Sequence, residues 1–189
     1  MDDLFLHACC GPCATVAVPA WRAEGVEPRL WFWNPNVHPA VEQARRRAGL
    51  ETYAAAEAVP LVEPRPRGQS AAWRDWAASL ATTPPEARCA ACLRLRLRAA
   101  AAAAAAVGAA RFSTTLSVSP YQRHDLIRAA GEEAAAESGV PFEYLDLRPR
   151  FRESYAESRR LGLYRQKYCG CAASKWEAWE QRWARRRSG

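Results

Sequence analysis

The chain reads as short apolar runs alternating with longer stretches of helical periodicity. Leu4-Phe5-Leu6 is a compact apolar run that stops at the first cysteines, and it predicts a buried strand. Residues 13–24 then carry a helical pattern up to a turn at Gly25. Leu30-Trp31-Phe32-Trp33 predicts a second strand, stopped by Asn34-Pro35-Asn36. Pro39 suits the first turn of a helix running to about Glu57. Pro60-Leu61-Val62 predicts a short third strand, and Pro64 to Gly68 a loop. A helix is expected over 70–80, broken by Thr82-Thr83-Pro84-Pro85. Glu86 to Val107 includes eight consecutive alanines, the best helix former, and ends at Gly108. Phe112 to Leu116 predicts a fourth strand, 124–138 a helix, Phe142 to Asp146 a fifth strand, and 152–161 and 172–187 the last helices.

Strands that alternate with helices argue for one parallel, doubly wound α/β sheet of about five strands. Residues 1–172 are expected to form the domain and 173–189 an amphipathic basic helix packed on it or extending from it. Trp176, Trp179 and Trp183 recur at i, i+3 and i+7, which predicts a face packed against the sheet, with base stacking as the lesser alternative. Ligands of such sheets gather beyond the C-terminal strand ends. His7 to Cys10, Asn34 to Asn36, Ser117 to Ser119 and Asp146 to Arg148 all follow strands and should share one rim.

Composition narrows the class. At 189 residues, with 49% hydrophobic and 25% charged residues, the chain can bury a core and is not disordered. No apolar run is long enough to span a membrane. The net charge of +7 is unevenly spread: residues 148–189 hold 12 basic and 4 acidic residues, so the remaining 147 residues net −1. Basicity at one end suits a polyanionic partner, whereas codon bias would explain arginine over lysine but not the clustering.

Seven cysteines fall in three groups, at 9, 10 and 13, at 89 and 92, and at 169 and 171. Asp2-Asp3 gives no basic signal region, and the apolar run before Cys9 is too short for a lipoprotein signal. A cytoplasmic location is therefore expected, where clustered thiols bind metal or do redox chemistry. Cys10-Gly11-Pro12-Cys13 sits at a strand-to-helix turn, where a helix N-terminus favours thiolate. Cys89 and Cys92, spaced i, i+3, share one helical face. Soft thiolates suit zinc or an iron–sulfur cluster, and spacing alone separates these poorly. A thioredoxin-like pair fits the predicted parallel alternation badly. Cys169-Gly170-Cys171 is either a redox pair, a ligand pair or both. His7 either meets a sulfur as hydrogen-bond or proton donor or is a core histidine.

In order, His7 to Cys13, Phe32 to Pro39, Arg88 to Arg96, Thr114 to Tyr121, Arg148 to Glu153 and Leu163-Tyr164-Arg165-Gln166-Lys167-Tyr168-Cys169-Gly170-Cys171 resemble the cobalamin-independent epoxyqueuosine reductases of the QueH type. The resemblance implies a nucleotide α-hydrolase-like, Rossmann-like fold. It also implies reduction of epoxyqueuosine to queuosine at the tRNA wobble position, the last step of queuosine biosynthesis. It implies a 4Fe-4S cluster on Cys9, Cys10, Cys89 and Cys92. An adjacent mononuclear iron would sit on Cys13, with Cys169, Cys171 or Asp146 as further ligands. Cys169 and Cys171 are also candidates to supply electrons. Tyr164, Tyr168, His7 and Arg165 are then candidate proton donors or oxyanion partners. Asn34, Asn36, Ser117, Ser119, Arg148, Arg152 and Lys167 are candidates for binding the RNA. No nicotinamide or flavin motif is visible, so a ferredoxin- or flavodoxin-like donor is expected. Two alternatives stand beside this. A tRNA thiolation enzyme would need a Ser-Gly-Gly-x-Asp-Ser loop where Cys-Cys-Gly-Pro-Cys stands. A zinc-stabilised RNA-binding module would lack redox activity.

Overall fold

The structure, a computed structural model, describes residues 3–63 and 84–187. The expected loop at 64–68 and helix at 70–80 lie outside the described residues.

β1 (Asp3–His7) is the centre of the fold. Leu4, Phe5 and Leu6 are fully buried on alternating faces, as a strand covered on both sides requires. It pairs in parallel with β2 (Glu27–Trp31) on one side and β4 (Arg111–Thr114) on the other. β3 (Leu61–Val62) adds to β2, giving a four-stranded parallel sheet in the order β3-β2-β1-β4. Pro28 tolerates its place in β2 because its side of the strand, the side on which Leu30 donates to Pro60 O, has no β3 partner until Leu30. β2 starts and ends earlier than the apolar run suggested, so Phe32 and Trp33 lie beyond the sheet, with Trp33 stacked on Trp31.

α1 (Gly11–Ala23) packs against α2 (Ala40–Ala56) and α5 (Glu153–Arg160), while α3 (Pro85–Ala106) and α4 (His124–Ser138) pack together and α3 lies on β1 and β4. The helices thus cover both sides of a doubly wound, Rossmann-like sheet. The alanine run is core: Ala100, Ala101, Ala103 and Ala104 are buried.

The expected fifth strand contracts to a bridge. Phe112 donates to Pro141 O and accepts from Glu143 N, and Phe142 pairs with it in parallel. Beyond Glu143 the chain leaves β4, because Tyr144 turns to α4: its hydroxyl meets His124 Nδ1 at 2.6 Å and its ring lies 4.3 Å from the Arg128 guanidinium. The segment still reaches the expected rim, where Leu147 N donates to Ser117 O.

α6 (Ala172–Arg187) corrects a second expectation. Its tryptophans do not pack on the sheet: Trp176, Trp179 and Trp183 are 65%, 50% and 50% exposed. Helical spacing defines a stripe but not the direction it faces. Ser174, Glu177, Ala178 and Gln181, on the opposite side of α6, turn inward to a cavity instead.

Candidate metal centre

The strand order reverses between β1 and β4, and the first cysteine loop lies just beyond their C-terminal ends, where Cys9 N donates to Thr115 Oγ1. Cys10 caps α1 with extended backbone, and Pro12 in the first turn needs no hydrogen-bond acceptor there. Gly11 is demanded by packing: a Cβ on it would stand 2.3 Å from Gly49 O of α2. The sulfurs of Cys9, Cys10 and Cys13 consequently lie within 4.8 Å of one another, all buried.

This trio holds charge unevenly. Hydrogen bonds from Cys10 and Cys13, aided by Thr115 and the Arg96 charge, hold the Cys9 thiol well below its ordinary range against the cost of burial. Thr115 Oγ1 lies 3.4 Å from Cys9 Sγ and also accepts from Cys9 N. Cys10 ends up at about 12: the Cys13 hydrogen bond pulls down, but the Cys9 hydrogen bond, burial and the Cys9 charge outweigh it. Without a cation, the three clustered sulfurs favour ionisation at Cys9 at the expense of Cys10 and Cys13. Full ionisation calls for a metal.

The other four sulfurs form a neighbouring group. Cys92 and Cys171 pack together. Burial, followed by the charges of Cys169 and Cys171, raises the Cys89 thiol. Burial also pushes Cys92 to about 12 against the pull of Arg96. Cys169 is exposed, receives Gln122 Nε2 at 3.4 Å, and lines a cavity of about 510 Å³ together with Cys9 and Cys13. Thus the sulfurs sort as a tight trio from the first loop beside a set drawn from α3 and the last loop.

Ser119, Arg165, Lys167 and Tyr168 line the same cavity. Tyr168 donates its hydroxyl to His38 O, and Arg165 is anchored on Ser154 O at 2.7 Å and Ser158 Oγ at 3.0 Å. Several other candidates lie elsewhere. His7 is a core histidine, fully buried: Nε2 donates to Trp33 O and Nδ1 accepts from Thr114 Oγ1 at 2.9 Å. Burial and then Arg96 lower it to about 3, so it is neutral with its one N–H committed. Tyr164 donates to Glu42 Oε2 at 2.6 Å, and Ser117 to Thr114 O. Asp146 binds Arg148, and neither lines the cavity; nor does the exposed Arg152. Asn34 is a buried brace, donating to Ala8 O at 2.9 Å, and Asn36 is buried with both amide atoms unpaired.

Two buried arginines carry the electrostatics of the site. Arg46 is paired with Glu42 at 2.9 Å and donates to the Cys169 and Tyr168 carbonyls, tying the last cysteine loop to α2. Arg96 donates to Asn34 Oδ1 at 2.6 Å, has no carboxylate partner among the described residues, and leaves Nε unpaired. Gln166 Nε2 donates to Cys10 Sγ at 3.1 Å. Sequence reasoning gave these residues no role, although Cys89, Cys92 and Arg96 stand at i, i+3 and i+7 on one helical stripe.

The family described as epoxyqueuosine reductase QueH matches residues 4–177. The chain belongs to this family. A QueH epoxyqueuosine reductase of Dehalococcoides mccartyi is 33% identical over 174 residues, covering 92% of this chain and 93% of the relative. One of Thermotoga maritima is 28% identical, covering 96% and 94%, and one of Haemophilus influenzae is 28% identical, covering 92% and 71%. The expectation of an oxidoreductase holds with the QueH family. No helix among the described residues is long and apolar enough to cross a membrane.

Proposed function

We propose that this chain reduces epoxyqueuosine to queuosine in tRNA, as the last step of making that wobble nucleoside. The observation that carries this reading is the buried trio of sulfurs, of which Cys9 and Cys13 line a cavity of about 510 Å³, in a chain of the QueH family. Opening and deoxygenating an epoxide consumes two electrons and two protons and releases water.

The donor set fits a thiolate-bound metal group. Three buried sulfurs stand within 4.8 Å, and the Arg96 guanidinium beside them has no carboxylate among the described residues to neutralise it, so an anionic centre is its natural partner. Cys9, Cys10, Cys89 and Cys92 would hold a 4Fe-4S cluster. Cys13 would hold an adjacent iron, with Cys169 and Cys171 in reserve. When bound, these groups supply single electrons and a Lewis acid for the epoxide oxygen. The protein's own residues do the rest. Gln166 orients Cys10 through its amide, and Thr115 orients Cys9. Lys167 faces the cavity as a proton-bearing group, Tyr168 lines it with its hydroxyl committed to His38 O, and Arg165 presents fixed positive charge there. His7, with both ring nitrogens engaged inside the core, supports the loop rather than donating a proton. Ser119 and Lys167, with Arg148 and Arg152 outside the cavity, are the candidate contacts to the RNA. A ferredoxin- or flavodoxin-like protein is the expected electron source.

Anaerobic purification followed by iron, sulfide and zinc analysis tests the reading. About four or five irons with about four sulfides per chain, and turnover of epoxyqueuosine-containing tRNA with a reductant, are expected. Stoichiometric zinc without sulfide after anaerobic reconstitution would replace it with a zinc-stabilised RNA-binding role.

A further inference from the structure

One wall of the cavity is built from aromatic rings for which the reduction itself has no use. Tyr121 follows the turn after β4 and is 84% exposed. Its ring meets Phe151 edge to face at 5.9 Å and 85°, and Phe151 meets Tyr155 at 5.5 Å and 89°. The Arg165 guanidinium lies 3.6 Å from the Tyr155 ring centre. All four side chains line the cavity that holds Cys9, Cys13 and Cys169.

The exposure is the informative part. A tyrosine placed for packing would be mostly covered, whereas this one keeps an open ring face at the mouth of the cavity. The perpendicular Phe151 ring, itself backed by Tyr155, supports one edge of it and leaves the face open. Arg165 and Lys167 add positive charge in the same cavity, and the chain's basic excess is concentrated after residue 148. An open aromatic face with basic groups nearby suits an unpaired nucleobase and its phosphate.

We propose that Tyr121, buttressed by Phe151 and Tyr155, is a stacking subsite for a nucleobase next to the one being reduced. The proposal rests on the RNA-substrate reading above. The reacting base must reach the buried sulfurs, so a ring at the mouth meets its neighbour in the strand. Stacking asks for no particular donor or acceptor pattern, so the subsite takes any base and fixes the direction in which the loop enters.

Binding of a hairpin RNA with an unpaired anticodon-type loop tests this, using the metal-loaded full chain. The hairpin carries 2-aminopurine, whose emission reports stacking, beside the wobble position. Tyr121→Ala and Tyr121→Leu are expected to weaken binding by about 5- to 100-fold and to abolish the wild-type change in 2-aminopurine emission. Tyr121→Phe should keep both, and thermal melting should be the same for all, since the side chain is exposed. Equal affinity and equal emission for wild type and Tyr121→Ala would overturn the subsite while leaving the RNA reading intact. Failure of the wild type to bind the hairpin at all would overturn both.

Discussion

The Arg96 guanidinium donates to the Asn34 side-chain oxygen at 2.6 Å while lying 2% exposed with no carboxylate beside it among the described residues. Asn34 in turn donates to Ala8 O, next to Cys9. One buried cation therefore both braces the cysteine loop and balances its negative charge. Arg96→Gln removes the charge and is too short to reach Asn34. It is expected to cost about 1–3 kcal/mol in urea unfolding, because a buried partner is left unmet. It should also lower the reduction potential of the metal-loaded protein, read by a redox titration, because an anionic centre loses its counter-charge.

The two glycines that meet where α1 crosses α2 are not equivalent. A Cβ on Gly11 would strike the Gly49 backbone at 2.3 and 2.6 Å, whereas a Cβ on Gly49 meets nothing within 4 Å. Gly11→Ala is expected to destabilise by about 1–3 kcal/mol or more and to reduce metal content, because the strain falls between Cys10 and Cys13. Gly49→Ala should raise stability by about 0.5–1 kcal/mol, the helix-interior gain over glycine. Urea unfolding of the two variants, with metal analysis, checks both.

Tyr164 tests a structural role against a chemical one. Tyr164 is bonded to the buried Glu42, which also holds Arg46. Tyr164→Phe is expected to cost about 1.5–3 kcal/mol of stability, the range for a hydrogen bond to a charged group, with most of the turnover number retained. A turnover number that collapses at unchanged stability would return Tyr164 to the catalytic set.

Asp146 provides a pH test. Its hydrogen bond from Arg148 outweighs the cost of burial and lowers it to about 2. A carboxyl depressed in the fold stabilises above its unfolded value near 3.9, and that stabilisation is lost as pH falls from there toward about 2. The pair is largely exposed, so Asp146→Ala should cost only about 0.2–1 kcal/mol at neutral pH and nothing below pH about 2. Metal content should be unchanged, whereas loss of one iron would make Asp146 a ligand. Denaturant unfolding across pH, with iron analysis, reads both.

In the metal-free protein the cysteines should alkylate in a set order. Cys9, lining the cavity with its thiol held well below the ordinary range, is expected first, and Cys169, on an exposed loop but with its thiol raised by burial of the sulfur, second. Cys10 and Cys92, both at about 12 and buried, should react only on unfolding. Peptide mass mapping of a timed alkylation checks the order.

Much of this was legible in the sequence. Leu4-Phe5-Leu6 marks a strand buried on both faces, and the cysteine loop after it marks the site at its end. The last strand was not legible, because Phe142 to Asp146 alternates like a strand while Tyr144 is drawn to His124 and Arg128 by contacts no local pattern encodes. The indole stripe of α6 had the right period, but a period carries no direction. Arg96 was hidden in plain repetition: Arg94, Arg96 and Arg98 look alike, yet Arg94 and Arg98 reach out to Glu133 and Glu137 while Arg96 turns inward. Nor does periodicity distinguish Asn34, a brace, from Ser119, which meets the cavity.

The alanine run gains a different meaning from this arrangement. Ala100, Ala101, Ala103 and Ala104 are buried where α3 packs against α4 and lies on β1 and β4. Methyl groups there act as a thin shim, setting how closely α3 approaches its neighbours. Thickening the shim by a leucine would push α3 off them, and Cys89 and Cys92, on the same helix, would shift with it. The reach of one group of sulfurs toward the other is thus gauged by side chains that are almost not there.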